Sequence, residues 1–242
     1  MALPIRLLNA DRIQIYTDVE GLLTGDPNTI KDAKFLEKAN YTEACELAYQ
    51  GAKVIHPTAA EIAMKNSIPI EIKSTFNNKE GTIIDDIGDE KKLTPMTGLA
   101  CRDEIFYVKI SAHQGINYDN GLQVFQLLAD QGISVDFINI RESVISFIIN
   151  NEKRELTEII LDENNFDFEI AEEYVKISIV GGGMTGQPGI MARIVNTLHD
   201  VGVKIYQTTD SHTVISCLIK EKDKIKAQNA LHDAFNLNTI GG

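Results

Sequence analysis

The chain has 242 residues, 43% of them hydrophobic, which is enough to build the cores of two or three small domains. Its net charge of −12, with no Lys/Arg cluster, argues against nucleic acid and anionic membranes as partners. The apolar runs are far short of a membrane span, and the opening MALPIRLLNADR lacks the order of a signal peptide. The three cysteines, Cys45, Cys101 and Cys217, are scattered and odd in number, which fits a reducing cytoplasmic setting and gives no disulfide framework. The five histidines stand singly, so no metal-ligand spacing appears.

Residues 1–88 read as part of an α/β sheet. Ile13 and Ile15 predict a short strand, closed by Thr17-Asp18-Val19-Glu20-Gly21, and Gly25-Asp26-Pro27-Asn28 is a loop by composition. Asn40 with Glu43 forms a capping box that predicts a helix to Gln50, with Gly51 just past its end. Thr58 with Glu61 predicts a second box, opening a helix to about Lys65, and His56 before Pro57 is structural. Residues 68–72 then predict a strand. The first residues look like the end of a helix without its beginning, so the segment is expected to be a fragment of a larger domain. Asp85 to Thr94, polar and charged, is the expected linker.

The remainder is duplicated. Tyr107-Val108-Lys109-Ile110-Ser111 recurs as Tyr174-Val175-Lys176-Ile177-Ser178, and Val144-Ile145-Ser146 as Val214-Ile215-Ser216. The offset grows from 67 to 70 residues, so the second copy carries three extra residues in or near its glycine-rich turn. The first copy predicts strand 105–111, helix 119–131, strands 133–140 and 143–150, helix 152–163 and strand 166–171. The second predicts strand 174–181, helix 188–201, strands 203–208 and 211–220, helix 222–235 and a short tail. Each is a β-α-β-β-α-β, ferredoxin-like plan, whose open face and edges invite pairing with another copy.

The extra residues fall where chemistry is expected. Gly181, Gly182, Gly183 and Gly186 precede Pro188, at the start of a helix carrying Ile190, Ile194, Leu198 and Val201. Free N–H groups at such a terminus favour a carboxylate, with Met184, Thr185 and Gln187 around it; no Gly-Lys-Ser/Thr follows, so it is not a Walker loop. The turn Gly181–Gly189 serves equally as a tight connection. Asp136 and Asn139 in the first copy, and Gln207 and Thr209 in the second, interrupt apolar strands; they either cap a strand end or hold the amino group of a small zwitterion. Ser211 and His212 are expected in an exposed turn. Asp18 and Lys53 are the catalytic-type candidates of the first part, and both are also ordinary surface charges.

These residues resemble aspartate kinase. Residues 17–27 (TDVEGLLTGDP) resemble that family's nucleotide-side loop, and residues 41–57 (YTEACELAYQGAKVIHP) its next signature. Residues 70–82 resemble the last strands of the amino-acid-kinase domain, and the duplicated part resembles tandem ACT regulatory domains. Val180-Gly181-Gly182-Gly183-Met184 and Asp210-Ser211-His212-Thr213 are similar to aspartokinases of Gram-positive bacteria. The fold this implies is α/β (α+β): a partial kinase sheet (1–88), a first ACT domain (89–171) and a second (172–242).

The family phosphorylates the side-chain carboxylate of aspartate with ATP and magnesium, the first step towards lysine, threonine, methionine and diaminopimelate. The resemblance implies that Thr17 and Asp18 contact the nucleoside, that Gly25 and Asp26 lie near ribose and phosphates, and that Lys53 touches a phosphate. It also implies a feedback amino acid (lysine, threonine or diaminopimelate) between ACT domains. Asp136, Asn139, Met184, Thr185, Gly186, Gln187, Pro188, Gly189, Gln207 and Thr209 are its candidate ligands. The partner is another copy of the chain or a full-length catalytic subunit.

Two family segments, Lys-Phe/Tyr-Gly-Gly and Gly-Arg-Gly-Gly-Ser-Asp, are not in the sequence, Asn28 stands where arginine is frequent, and residues 112–117 (AHQGIN) replace an Asp-x-Pro-Gly turn. Phosphoryl transfer rests on positioning and charge neutralisation at the γ-phosphate, so the chain alone is expected to be inactive and to need no cofactor. A natural short subunit, a gene fragment and a truncated piece all fit this expectation. So do a site completed by a separate N-terminal piece, a stand-alone ACT sensor, and nucleotide binding without catalysis.

Overall fold

The computed structural model describes residues 10–89, 94–111, 118–184 and 186–240, with backbone only at 118–121. The turn at 112–117, Thr185, the opening residues 1–9 and the charged run at 90–93 lie outside the described residues. The chain divides into two compact units. Unit 1 holds residues 1–101, 176–219 and 223–242, and unit 2 holds 102–175 and 220–222. The first kinase-like segment and the second copy of the duplication therefore share one unit.

In unit 1, β1 (Ile13–Thr17), β2 (Lys38–Asn40), β3 (Ile70–Ser74) and β4 (Thr82–Asp85) form a sheet in the order β1-β3-β4-β2. β1 runs parallel to β3, and β3 antiparallel to β4. α1 (Tyr41–Tyr49) starts at the expected capping box: the Asn40 side chain accepts from the Glu43 amide at 2.8 Å and the Glu43 carboxylate accepts from the Asn40 amide at 3.1 Å. α2 (Pro57–Lys65) departs from expectation. Its cap is His56, whose Nδ1 accepts from the Thr58 amide, and not Thr58. Pro57, with its φ already helical and no N–H to satisfy, fits the first helical position and moves the start forward. Ile70, Ile72, Ile84, Ala44, Leu47, Ala60 and Ala63 pack together between these elements. The strands β2 and β4 are absent from the sequence expectation; both are short, and β2 carries a charged and a polar residue.

The expected linker is partly built into unit 1. The Asp85 carboxylate accepts from the amides of Ile87 and Gly88, and a Cβ on Gly88 would lie 2.8 Å from the Asn40 nitrogen. Residues 96–100 are buried, so the chain is packed well before Arg102.

In unit 2, β5 (Gly98–Ser111) supplies its second half, followed by α3 (Tyr118–Asp130), β6 (Asp136–Ile140), β7 (Val144–Asn150), α4 (Arg154–Glu163) and the first half of β8 (Phe168–Val180). The strand order β6-β7-β5-β8 is that of a ferredoxin-like sheet. Val108, Val124, Leu128, Phe147, Ile149 and Leu161 form its core, with the rings of Phe125 and Phe147 at 5.8 Å. The expected strands 166–171 and 174–181 are one strand, β8, and its left-handed Glu173 (φ 62°) marks the place where a break was anticipated.

In unit 1, the end of β8 continues into α5 (Ile190–Asp200), β9 (Gln207–Asp210), β10 (Val214–Lys220) and α6 (Lys224–Ala234), with the order β8-β10-β9. The fourth strand position is taken by the beginning of β5, where the Thr97 amide donates to the Val180 carbonyl at 2.7 Å. The second copy is thus completed by residues that precede the first copy. β10 begins at Val214 rather than 211, because the Ser211 hydroxyl accepts from the Val214 amide and closes the turn.

α6 also clasps the loop after β1. Asn229 Nδ2 donates to the Thr29 carbonyl at 2.7 Å, and the buried His232 Nε2 lies 2.8 Å from the Thr24 hydroxyl. Thr24 Oγ1 also accepts from the Lys34 amide, which ties the clasp to the return of the loop. Cys45 and Cys217 are free, and burial pushes their thiols up to about 11 and about 12 respectively. Among the described residues no helix is long and apolar enough to cross a membrane.

Two outcomes test this packing. Phe147→Ala, at a fully buried ring, should destabilise unit 2 by about 3–5 kcal/mol, whereas Ile138→Ala, 44% exposed, should change it by less than about 0.5 kcal/mol, both read from urea denaturation. Burial holds the His232 pKa below the usual histidine value, against the opposing pull of Asp233 and Asp32. The unfolded chain therefore takes up this proton first as pH falls. The stabilisation is intact above the ordinary histidine pKa and is lost as pH drops through it towards the lower folded value. His232→Gln should flatten that part of the pH–stability curve; an unchanged slope would count against the neutral buried imidazole.

Candidate functional site

The glycine-rich turn divides into two parts with different jobs. At Gly181 a Cβ would lie 2.2 Å from the Pro95 carbonyl oxygen, and at Gly183 3.0 Å from Pro95 Cα. Their amides are taken by the protein: Gly181 donates to the Thr213 carbonyl, Gly183 to the Pro95 carbonyl, and Gly182 to Glu43 Oε1. The triplet is therefore a close-packed connection, and its N–H groups are not offered to a ligand. Gly186 (φ 74°) and Gly189 (φ 92°) differ, because nothing lies within 4 Å of a Cβ placed on either.

That open part borders a cleft of about 770 Å³ in unit 1. Met184, Gly186, Gln187 and Gly189 line it, as the sequence anticipates. Gly189 is the N-cap of α5 and, being glycine, brings no side-chain oxygen of its own to the first-turn N–H groups of the helix. Opposite stand Asp210, Ser211 and His212, which follow from the β9–β10 turn. Ser211 and His212 are exposed, as expected, but the turn also forms a wall of the cleft. Ile190, Met191 and Ile215 add apolar surface. A helix terminus suited to a carboxylate, a carboxylate suited to an ammonium, and apolar walls between them match a small amino acid.

The other effector candidates sit elsewhere. Pro188, Gln207 and Thr209 are outside the cleft lining; Gln207 is buried on β9 and Thr209 is half-buried opposite Ser216. In unit 2, Asp136 forms an ion pair with Arg102 at 3.3 Å and accepts from the Phe137 amide, and Asn139 faces Ser146 across β6 and β7. The strand is irregular there, with Phe137 at φ 60°, so the polar pair is tied to a local distortion. Asp210 and Ile215 escaped sequence reasoning because their cleft is defined only once the hairpin is placed beside the α5 terminus.

The nucleotide-side candidates are spread over three places. Thr17 ends β1, its hydroxyl bonded to Asp18 at 3.0 Å and its carbonyl accepting from Thr75. Asp26 spends one oxygen on the Asn28 amide and side chain, and Gly25 lies against Ile30, where a Cβ would be 2.3 Å from Cδ1. Lys53 is exposed beyond α1. Thr17, Asp18 and Lys53 offer groups that fit part of a nucleotide, while Gly25 and Asp26 are committed to their turn. Among the described residues no group of three or more His, Cys, Asp or Glu could hold a metal ion.

The architecture is an α/β segment followed by strands and helices in ferredoxin-like order. Residues 6–74 match the amino acid kinase family and residues 169–233 match the ACT domain. The chain is similar to aspartokinases throughout: it is 40% identical over 236 residues to Aspartokinase 1 of Bacillus subtilis (strain 168), covering 96% of this chain and 58% of that protein. The aspartate kinase of Clostridium acetobutylicum, an allosteric enzyme, superposes with a TM-score of 0.86 at 26% identity, over 97% of this chain and 57% of that one. A structure of aspartokinase alpha and beta subunits matches 58% of this chain and 99% of its own, with a TM-score of 0.53 at 28% identity. The chain thus spans a little more than half the length of the relatives it matches.

The division of the glycine-rich turn can be tested by stability. Gly181→Ala, where a methyl meets backbone, should cost about 3 kcal/mol or more, and Gly186→Ala, strained only by its φ, about 1 kcal/mol. Equal losses in chemical denaturation would mean that the triplet is not close-packed.

Proposed function

We propose that the chain is the regulatory portion of an aspartate kinase. In the full enzyme, ATP would phosphorylate the side-chain carboxylate of aspartate, and the ACT modules, about 89–171 and 172–242, would bind a feedback amino acid. The observation that carries this reading is the similarity to aspartokinases along 96% of the chain, together with a cleft at the α5 terminus. The effector is a lysine, threonine or diaminopimelate molecule, with its α-carboxylate at the first turn of α5 and an ammonium at Asp210. Met184, Ile190 and Ile215 would enclose its stem.

The kinase-like segment would hold only part of the nucleotide: Thr17 and Asp18 on the nucleoside side, and Lys53 at a phosphate. Magnesium, when bound with ATP, neutralises charge on the phosphates. The Lys-Phe/Tyr-Gly-Gly and Gly-Arg-Gly-Gly-Ser-Asp segments are not among these 242 residues, and Lys53 would not replace both of them, so on their own these residues would not transfer phosphate. The working assembly would be an oligomer built through the ACT modules in the cytoplasm, with a second copy or a catalytic subunit as the partner. An effector can shift such an assembly only by its difference in affinity between two states.

Calorimetric titration with lysine, threonine and meso-diaminopimelate in turn should give saturable heat with one of them. Asp210→Asn should weaken that binding by about tenfold, the loss of one charge-assisted contact. An assay for aspartyl phosphate should give none. Absence of heat with all three ligands would overturn the effector reading, and phosphoryl transfer would overturn the regulatory one.

A further inference from the structure

Glu43 is a buried carboxylate on α1, 5% exposed, that touches three separated parts of the chain. Its Oε2 accepts from the Asn40 amide and closes the capping box of α1. Its Oε1 accepts from the Thr97 hydroxyl at 2.6 Å and from the Gly182 amide at 3.3 Å. Gly182 lies two residues before Met184, the first residue of the effector cleft. One rigid group therefore joins the cleft's own turn to the first turn of a helix in the kinase-like segment. A displacement of the turn moves one oxygen, and the other oxygen moves with it.

The tie is tight on both sides. Gly181 and Gly183 are seated against Pro95, so the turn has little room to move without carrying Gly182. On the other side, Asn40 Oδ1 accepts from the Glu43 amide, so side chain and backbone of the same residue are both committed to the cap. α1 leads through Gln50 and Gly51 towards Lys53, and Gln50 Oε1 accepts from the Ser178 hydroxyl at 2.9 Å, a second tie between the end of α1 and β8.

We infer that Glu43 is a positioning residue that couples occupancy of the cleft to the N-terminus of α1, and through it to the kinase-like segment. This rests on the cleft being an effector site. The argument is stoichiometric as well as geometric. A carboxylate offers two acceptor ends, and both are used here. A glutamine has the same shape but only one acceptor end, so in either amide orientation one backbone contact is lost, the Asn40 amide or the Gly182 amide, since a hydroxyl such as Thr97 can turn to accept but an N–H cannot. Thr97→Val, in contrast, removes one donor and leaves both ends of the bridge in place.

The test is hydrogen–deuterium exchange of the 242-residue chain, with lysine, threonine and meso-diaminopimelate as probes and calorimetry on the same samples. In the wild type, the probe that binds should change exchange of the first-turn amides of α1 by about fivefold or more, the low end of ordinary coupling between sites. Glu43→Gln should bind that probe yet lose the response in α1, and Thr97→Val should keep it. Binding without any change in α1 of the wild type would overturn the coupling and leave the effector reading intact. So would a full response in Glu43→Gln. No binding of any probe to the wild type would overturn the effector reading and the coupling with it. Should Glu43→Gln fail to fold, Glu43→Asp, one methylene too short to reach both arms, should bind the probe and lose the response in its place, and a full response there would overturn the role of Glu43.

Discussion

Between Pro95 and the glycines of residues 181–183, two stretches of backbone approach so closely that no side chain fits between them. Much of unit 1 follows from that contact. It seats the end of β8 beside the start of β5, where Thr97 bonds Val180, and so supplies the fourth strand of the second repeat. It brings the Gly182 amide to Glu43, and with it the turn to the capping box of α1. Gly186 and Gly189, further along the turn, are free of such packing and border a cleft. Gly181 and Gly183 lose more conformational entropy on folding than other residues would, for a connection in which a Cβ at either position meets the Pro95 backbone.

Local chemistry was the most legible part of the sequence. Asn40 and Glu43 read as a reciprocal cap because three-residue spacing brings one side chain to the other's amide, and nothing distant is needed to decide it. Periodicity placed most strands and helices, and the repeat revealed the ferredoxin-like plan. Failures lie where a competing local rule or a distant partner intervenes. Pro57 took the first helical position, so His56 became the cap in place of Thr58. The two repeats share β8, since a strand can continue through a left-handed residue such as Glu173 when both halves have neighbours. Which repeat owned the start of β5 was not readable, because the answer depends on Val180, over eighty residues away.

The site followed the same division. Met184, Gly186, Gln187 and Gly189 were found from an unusual turn before a helix, a feature of contiguous sequence. Asp210 and Ile215 needed the β9–β10 hairpin to be placed. Asp136 looked like a ligand because it interrupts an apolar strand, yet its charge is answered by Arg102 in the same unit. An interrupting polar residue marks a need for a partner without saying whether that partner is the protein or a ligand.

The clasp of α6 on the loop after β1 bears on how the chain comes to be folded. Thr24 and His232 are 208 residues apart, so at ordinary rates of synthesis the loop waits roughly 10 to 40 s for its partner to be made. Throughout that interval, Thr24 and the Thr29 carbonyl that Asn229 will engage lack their final partners. Closure over so long a separation is slow, and it is postponed until unit 2 has been made in full. Until α6 is made, the loop after β1 is therefore open to aggregation and proteolysis.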